Sequence, residues 1–432
     1  MAMVVKNNMS ALSTLNTLNK NTKALSKSLQ KVSSGMKINS AADDASGYAI
    51  SERMRVQIRS LDQANSNAQN GGSMMKVAEG AVSSTVEILK TLKEKAVNAA
   101  NDTNTDADRQ TIQKELDQSI DQINDNANVT FNGQYLVDGS KNSKTTVTCT
   151  AMTNQSLSTA TKSSTALTAL AARNGDSLNI RATDKVTVSW VKDGKTYTSS
   201  LEIKDSTTLG TALKLCADID VKADANSFIA LDGSKNSVYT ASGESAITIS
   251  AKETGINGQI SGFTISITDN TGAVRKSANA ALDAFDETLR AQNVSDDNSV
   301  NLQIGTKANQ TIKVGLTDMK AQALGLQGKD NSTLQVGNQE QANAAINVLD
   351  SAIQKALDQQ TTIGAVQSRL EYTQSNLTTA SENVTAAEST IRDADMAKEM
   401  TEYTKNNVLM QAAQSMLAQA NQSSSNVLSL LQ

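Results

Sequence analysis

The sequence predicts a mainly α-helical protein. Both chain ends form a long antiparallel coiled-coil or helical-bundle stalk, and a central α+β insert rich in β-hairpins lies between them. Three observations predict this fold: apolar residues recur three and four positions apart through both ends, residues between about 142 and 297 alternate around turn signals, and proline is absent from all 432 residues. An interior proline removes a hydrogen bond and clashes with the preceding turn, so its absence suits long unbroken helices.

The first helical pattern lies near the N-terminus. Its members are spaced three and four apart, with a single polar residue among them: Leu15, Leu18, Thr22, Leu25, Leu29, Val32 and Met36. This spacing is typical of a coiled-coil seam. A break follows at residues 35–39, and Ser40 with Asp43 has the spacing of a capping box, which predicts that a helix restarts there.

A second apolar seam runs through residues 50–99, and a shorter helical pattern follows through residues 112–127. Gly71 and Gly72 weaken the middle of the long seam, because each glycine costs about 1 kcal/mol relative to alanine in a helix. The Asn132-Gly133 pair in "FNGQYLVDGS" predicts a hairpin at the end of this half.

The C-terminal half has the same design. One seam continues over residues 342–394 without a stop signal, a length that indicates a coiled coil or a helical bundle. The final seam has Asn406 and Ser424 as polar interruptions, and its other members are Tyr403, Met410, Ala413, Leu417, Ala420, Val427 and Leu431. Residues 406–432 carry no charge, and Gln, Asn and Ser are too frequent there for a lipid-facing helix.

The middle of the chain reads differently. The Asp193-Gly194 pair predicts a hairpin, a short helix is expected at about 209–219, and "SAITISAKETG" and "GFTISITDNTGAV" predict further strands. Two more strands are expected within residues 301–326. The hexapeptide D-G-S-K-N-S occurs at Asp138 and again at Asp232, and we interpret it as turn chemistry or as a remnant of duplication rather than as a functional site.

Composition excludes several classes of function. Histidine is absent, which excludes Ser-His-Asp triads, H-E-x-x-H zinc proteases and His-ligated metal sites. Cys149 and Cys216 lack the C-x-x-C spacing, and their pairing is left open. In "ALGLQGKD", Asp330 stands where a phosphate-binding loop needs a hydroxyl. We expect no enzyme activity, no cofactor and no metal site. The net charge of -4 argues against nucleic acid as the main partner. The absence of a long apolar run argues against a secretory signal and against membrane insertion.

Both ends resemble bacterial flagellin. The resemblance covers about residues 1–140, through "LQKVSSGMKINSAADDASGYAISERMRVQIRSLDQANSNAQNG", and about residues 298–432, through "LQIGTKANQTIKV", "GAVQSRLEYTQSNLTTASENVTAAESTIRDADMAKEM" and "MLAQANQSSSNVLSLL". It implies an extracellular structural subunit of the bacterial flagellum, exported unfolded and polymerised into a filament. The implied partners are other copies of the chain, an export chaperone and the filament cap.

The resemblance also implies five segments. Residues 1–42 and 396–432 are expected to be the two halves of an inner-core helical domain, residues 43–141 and 298–395 the two halves of a stalk domain, and residues 142–297 a variable outer insert. The two terminal seams are the candidate polymer core. We expect them to be disordered in the monomer and to fold against neighbouring copies. Burying the apolar seam of one helix pair stabilises it by less than the conformational entropy cost of ordering its residues. An uncharged polar surface can then pack without burying unpaired charge.

A second implied site is a receptor-recognition helix. Many flagellins are sensed by Toll-like receptor 5 through a helix that resembles L-x-R-V-R-E-L-A-V-Q, with a supporting glutamate downstream. The matching stretch here is "LKTLKEKAVN", and the residues concerned are Leu89, Thr91, Leu92, Lys93, Glu94, Lys95, Ala96, Val97 and Glu115. Thr91 replaces the central arginine and Lys95 replaces a leucine, so we expect weak or altered receptor binding.

Two alternatives stay open at this stage. One is a hook-filament junction protein, which shares these end helices in a looser form. The other is an enzymatic flagellin with a protease in its insert, for which the absence of histidine excludes the zinc-dependent version.

Overall fold

The computed structural model describes residues 8–221 and 227–430, with side chains up to residue 423. Helices make up about half of the chain. They are α1 (Met9–Ser34), α2 (Ala45–Ala99), α3 (Asp106–Ala127), α4 (Leu209–Leu213), α5 (Lys276–Leu282), α6 (Gln339–Arg392) and α7 (Met396–Leu430). The predicted mainly helical fold, with long helices from both chain ends and a central β-rich insert, is confirmed.

The strands form small antiparallel sheets. They are β1 (Thr130–Phe131), β2 (Gln134–Tyr135), β3 (Ala151–Asn154), β4 (Lys185–Lys192), β5 (Lys195–Glu202), β6 (Ile219–Val221), β7 (Phe228–Leu231), β8 (Ser237–Tyr239), β9 (Ile247–Ala251), β10 (Ile260–Thr268), β11 (Phe285–Leu289), β12 (Val300–Gln303) and β13 (Thr311–Val314). Strands β3 to β11 belong to the central insert. One sheet has the order β11-β3-β9-β6 and another the order β10-β4-β5. A shared hydrophobic cluster includes Met152 and Ile249 of the first sheet with Val188 and Phe263 of the second, so the insert has a core between its two main sheets.

The two predicted hairpins are confirmed. Thr130 pairs with Tyr135 in the β1–β2 ribbon, and Lys185 to Lys192 pair in register with Glu202 to Lys195 in β4–β5. The turn residues Asn132 and Asp193 have φ of 49° and 53°, and each is followed by a glycine with positive φ. Both positions lie in the left-handed region that a type I′ turn requires, which explains the Asn-Gly and Asp-Gly pairs.

The repeated hexapeptide also forms turns. Asp138 Oδ1 accepts a hydrogen bond from the Ser140 amide at 3.0 Å, and Asp232 Oδ1 accepts one from the Ser234 amide at 2.8 Å. The interpretation of D-G-S-K-N-S as turn chemistry is confirmed.

The expected helix at 209–219 is wrong in length, since α4 ends at Leu213 and Ile219 already begins β6.

The described residues form two compact units. We call residues 1–68, 303–310 and 372–432 the terminal unit, and residues 69–302 and 311–371 the central unit. Helices α2 and α6 contribute residues to both units. The predicted boundaries at 42/43 and 395/396 fall in the connections between α1 and α2 and between α6 and α7, while the five-segment division itself stays a prediction.

Helix α2 runs without a break through Gly71 and Gly72. A Cβ on Gly71 would lie 2.7 Å from Leu302 Cδ1, well inside van der Waals contact. The glycine therefore costs helix propensity but permits a close approach that alanine does not.

The predicted capping box at Ser40 and Asp43 is wrong. Asp43 Oδ2 accepts from the Ser40 amide at 3.2 Å, but this contact lies in a turn, and α2 begins at Ala45. Asp44 caps the helix instead, because its Oδ1 accepts from the amides of Ser46 and Gly47 at 3.1 and 3.0 Å. The carboxylate one position later is the one that reaches the free N–H groups.

A capping box that sequence reasoning missed opens α3. The Thr105 side chain accepts from the Asp108 amide, and the Asp108 carboxylate accepts from the Thr105 amide at 2.9 Å. Hydrogen bonds from Thr105 lower the pKa of Asp108.

Both cysteines are free thiols. Cys216 is buried in the hydrophobic core of the insert, which raises its pKa to about 12, and Cys149 is partly buried against the same core.

In the described part of the chain, no helix combines the length and hydrophobicity of a membrane span.

Candidate assembly surface

Helices α1 and α7 pack along each other in the terminal unit. Asn8 Nδ2 donates to the carbonyl of Ala420 at 3.2 Å, close to the start of α1. Asn406 Nδ2 donates to Ser28 Oγ at 3.1 Å, farther along α1 and nearer the start of α7. The partner number falls as the α1 number rises, so the pair is antiparallel, as predicted.

Polar side chains lie inside this pair. Asn21 Nδ2 donates to the carbonyl of Leu409 at 3.2 Å, and Lys31 Nζ lies 3.2 Å from Glu399 Oε1. Ser28 is the most deeply buried residue of α1. Amide and hydroxyl groups at seam positions fix the register of two helices, because a shift by one turn leaves them without partners.

The predicted seam of α1 is partly wrong. Leu18, Leu25, Val32 and Met36 are partly buried as expected, but Leu15 and Leu29 are exposed. The residues that are at least partly covered at heptad spacing are Ala11, Thr14, Leu18, Asn21, Leu25, Ser28 and Val32. The sequence-based seam assumed that every leucine faces the partner helix, whereas two of them point elsewhere and polar residues take their places.

The predicted seam of α7 agrees better with the structure. Ala413 is buried, and Tyr403, Asn406, Met410, Leu417 and Ala420 are partly buried, at three- and four-residue spacing. The side chain of Val427 and all of Leu431 lie outside the described residues.

Large apolar side chains remain uncovered on this pair. They are Met9, Leu12, Leu15 and Leu29 on α1, and Met396, Met400, Val408, Leu409 and Met416 on α7, with exposed fractions from 42% for Leu15 to 69% for Met9. We call this set the open apolar face. Among the described side chains of α1 and α7, only Ser28 and Ala413 are buried. Nine large apolar side chains of one helix pair are thus available for contact with a further surface.

In the terminal unit, the connection between α1 and α2 contacts the connection between α6 and α7, and we call this contact the joint. Met36 forms an antiparallel bridge with Asp393, and the Ala394 amide donates to the Gly35 carbonyl at 2.9 Å. Gly35 has φ of 70° and ends α1 in the left-handed conformation. The end of α1 and the end of α6 are therefore fixed to each other by main-chain hydrogen bonds.

Arg392 secures the same joint through its side chain. Arg392 is only 6% exposed, and its guanidinium donates to Glu52 Oε1 at 2.6 Å and to Ser51 Oγ at 3.3 Å and lies 5.5 Å from the centre of the Tyr48 ring. The hydrogen bond from Arg392 lowers the pKa of Glu52. A planar donor with several N–H groups can bind three partners at once, which lysine cannot reproduce.

Comparison with known proteins identifies the family. The model of the bacterial flagellin N-terminal helical region matches residues 5–142, and the model of the C-terminal helical region matches residues 346–431. A flagellin of Clostridium tyrobutyricum is 36% identical over 427 residues, which cover 97% of this chain and 99% of that protein. The chain belongs to the bacterial flagellin family.

Other relatives agree with this assignment. A flagellin of Bacillus subtilis is 33% identical and covers 99% of this flagellin, and the flagellar filament 33 kDa core protein of Treponema phagedenis is 30% identical with the same coverage. The flagellar hook associated protein-3 of Legionella pneumophila shares 15% identity at a TM-score of 0.33, covering 78% of this chain and 97% of that one. That likeness is too low to support an argument. The names of the relatives favour flagellin over the junction protein.

The predicted receptor-recognition stretch lies on α2 in the central unit, and the structure divides it in two. Leu89, Leu92 and Ala96 are fully buried in the core. Thr91 and Val97 are exposed, as is Glu94, and the Thr91 hydroxyl donates to the Glu87 carbonyl at 3.1 Å.

The lysines of this stretch are paired. Lys95 Nζ lies 2.9 Å from Glu115 Oε2 on α3, and Lys93 contacts Asp350 on α6. The structure thus brings Lys95 and Glu115 together, two residues that the motif treats as separate contacts. Within the described residues, no cluster of three potential metal ligands occurs.

Proposed function

We propose that this chain is a self-assembling subunit of an extracellular flagellar filament. The carrying observation is the open apolar face, which one α1–α7 pair leaves uncovered. Neighbouring copies can bury that face because the chain provides the same surface on every copy. Family membership and the filament proteins among the relatives support the proposal.

The chemistry of the pair suits packing between copies. Over the described side chains of residues 406–423, α7 carries apolar and uncharged polar groups only. Such a surface can be buried without desolvating an unpaired charge. We further propose that α1 and α7 are disordered in the free monomer and order on assembly, since their mutual contact buries so little.

Export as an unfolded chain, with an export chaperone and the filament cap as partners, belongs to the same proposal. The absence of proline supports it, because X-Pro isomerisation is a slow step of refolding that this chain lacks.

Leu29→Ala tests the assembly proposal. Leu29 is 52% exposed, and burying that half of a leucine is worth about 1 kcal/mol in the filament. We expect the critical concentration for elongation from seed filaments to rise roughly three- to tenfold. Gln30→Ala is the matched control, since this exposed neighbour is polar.

Electron microscopy and sedimentation of seeded reactions provide the measurement. An unchanged critical concentration in Leu29→Ala, with normal helicity in the monomer, would refute burial of this face between copies. Removal of residues 396–432 is the coarser test, and filaments formed by that variant would contradict any assembly role for α7.

We also propose that this flagellin is a weak ligand of Toll-like receptor 5. Thr91 supports the proposal because it is exposed and stands where the motif has an arginine. Its short side chain donates a hydrogen bond to the Glu87 carbonyl of the same helix and carries no positive charge that a receptor could bind. A missing arginine anchor typically costs about 2 kcal/mol or more of binding.

Thr91→Arg is expected to raise the reporter-cell response roughly tenfold or more, and Lys90→Arg serves as the control on the adjacent exposed position. Equal responses of the wild type and Thr91→Arg, at matched monomer concentrations, would count against the role of this position.

A further inference from the structure

An acidic cavity of about 620 Å³ lies within the central unit, between β10, β11 and α6. Four carboxylates and one guanidinium line it: Asp283, Asp286, Glu287, Asp350 and Arg290. The side chains of β10 and β3 add no charge, because Ile260–Thr268 and Ala151–Asn154 contain no ionisable residue. The joint between the insert and α6 is therefore rich in carboxylates and poor in cations.

Asp283 follows α5 directly and lines the cavity between the insert and α6. Its Oδ1 accepts from the Ile265 amide of β10 at 3.3 Å, and its carboxyl is hydrogen-bonded to the Asn347 side chain of α6. Asn347 Nδ2 also donates to the Phe263 carbonyl of β10 at 3.2 Å. Two polar side chains thus connect the insert to α6. Burial raises the pKa of Asp283 to about 6, and no cation is among the groups that act on it.

The other charged groups of the joint have partners. Glu287 Oε2 lies 3.5 Å from Arg290 Nε, and Arg290 Nη1 lies 2.7 Å from Asp358 of α6. Asp350 of α6 contacts Lys93 of α2.

Behind this first layer, Lys355 Nζ donates to the Ala323 carbonyl at 2.6 Å. Burial raises the pKa values of Glu287 and Asp318 and lowers that of Lys355. Glu287 and Asp318 therefore also add to stability when they are protonated, so the contribution of Asp283 has to be isolated with a variant of that residue alone.

We propose that Asp283 is a pH-dependent latch between the insert and α6, closed when its carboxyl is neutral and opened more often when it is charged. A neutral carboxyl can donate as well as accept a hydrogen bond, and it adds no charge to a cavity that already holds three other carboxylates. A carboxylate at the same place is desolvated and has no cation among the groups that act on it. Acidification therefore tightens the docking of the insert on α6.

The size and sign of the effect follow from proton linkage. The pKa in the closed state is about 6 and that of the exposed group is 3.8, so stabilisation is complete below pH 3.8 and is lost as pH rises through 6. Local opening at the joint should be roughly tenfold less frequent at pH 5 than at pH 7.5.

Hydrogen exchange measured by mass spectrometry on the full-length monomer tests the latch. Exchange times at the two pH values are scaled to the intrinsic exchange rate, and peptides covering residues 260–268, 282–290 and 344–352 are compared. We expect about tenfold stronger protection at pH 5 in the wild type and in Asp286→Asn, and a clearly smaller pH dependence in Asp283→Asn, in which Glu287 and Asp318 still titrate. Asp286 is the matched control because it lines the same cavity and is exposed.

Protection that does not change with pH in the wild type, or that changes equally in Asp283→Asn, would overturn the proposal. If Asp283→Asn fails to fold, carboxyl ¹³C titration of the wild type decides the matter. A midpoint near pH 6 at Asp283 supports the latch, and a midpoint below about 4.5 removes it.

Discussion

Arg109 binds the C-terminal end of α2 in the central unit, and its replacement provides a sharp test of the structure. The side chain is 8% exposed, and Nε donates to the carbonyl of Ala99, the last residue of α2, at 2.9 Å. Nη2 donates to the carbonyl of Asn101 at 3.1 Å, in the turn that follows. A cation at this place satisfies carbonyls that the helix cannot and also opposes the helix dipole.

We expect Arg109→Ala to destabilise the α2–α3 connection by about 2–4 kcal/mol. Each hydrogen bond from a charged donor contributes about 1.5–3 kcal/mol, and the exposed turn at Asn101 reduces the second contribution. Since 1.4 kcal/mol corresponds to a factor of ten, local opening should become roughly 30- to 1,000-fold more frequent.

Hydrogen exchange of amides in residues 95–112 measures that opening. Arg109→Lys should fall between the wild type and Arg109→Ala, because an ammonium can reach one carbonyl but not both. Lys114→Ala is the control, since Lys114 is exposed on the same helix. Equal protection in Arg109→Ala and Lys114→Ala would refute the capping role.

Three further predictions concern other parts of the chain. Gly262→Ala should destabilise the docking of β10 on α6 by roughly 1–3 kcal/mol in urea unfolding, because the new Cβ would lie 2.6 Å from Val348 Cγ2. Burial alone would raise the pKa of Asp218, but the hydrogen bonds from Lys192 and Trp190 and the charges of Lys192 and Lys252 together lower it. The stabilising contribution of Asp218 is therefore complete above pH 3.8 and is lost as pH falls through the lower folded value, and Asp218→Asn should flatten the acid side of the profile of unfolding free energy against pH. Arg392→Met should cost about 2 kcal/mol in the terminal unit by removing buried charge-assisted hydrogen bonds, and circular dichroism during urea unfolding would show no change if the joint did not depend on it.

The helices and hairpins could be predicted because their signals are local. The three- and four-residue spacing of α2 and α6 and the Asn-Gly and Asp-Gly turns each depend on a few neighbouring residues. The end of α4 at Leu213 depends on strand pairing from Ile219 onward with Ala251, which a local pattern does not contain.

The candidate site was predictable in part for the same reason. Periodicity identifies α1 and α7 as helices with apolar faces, but it does not say which leucines face the partner helix. Leu15 and Leu29 are exposed because polar residues such as Asn21 and Ser28 take the contact positions. The available signal was one asparagine at a contact position of each helix, Asn21 and Asn406, since such residues specify register. The binding of Arg392 and Arg109 to distant carbonyls and side chains had no sequence signature.

The pairing of α1 with α7 also has a consequence for incomplete chains. Hydrogen bonds such as Asn8 to Ala420 join residues separated by 412 positions, so the first helix of the chain has no partner until the last one has been synthesised. A prematurely terminated copy lacks α7 and presents an unmatched α1. Such a copy leaves Asn21 and Ser28 of α1 without the hydrogen-bonding partners that α7 provides.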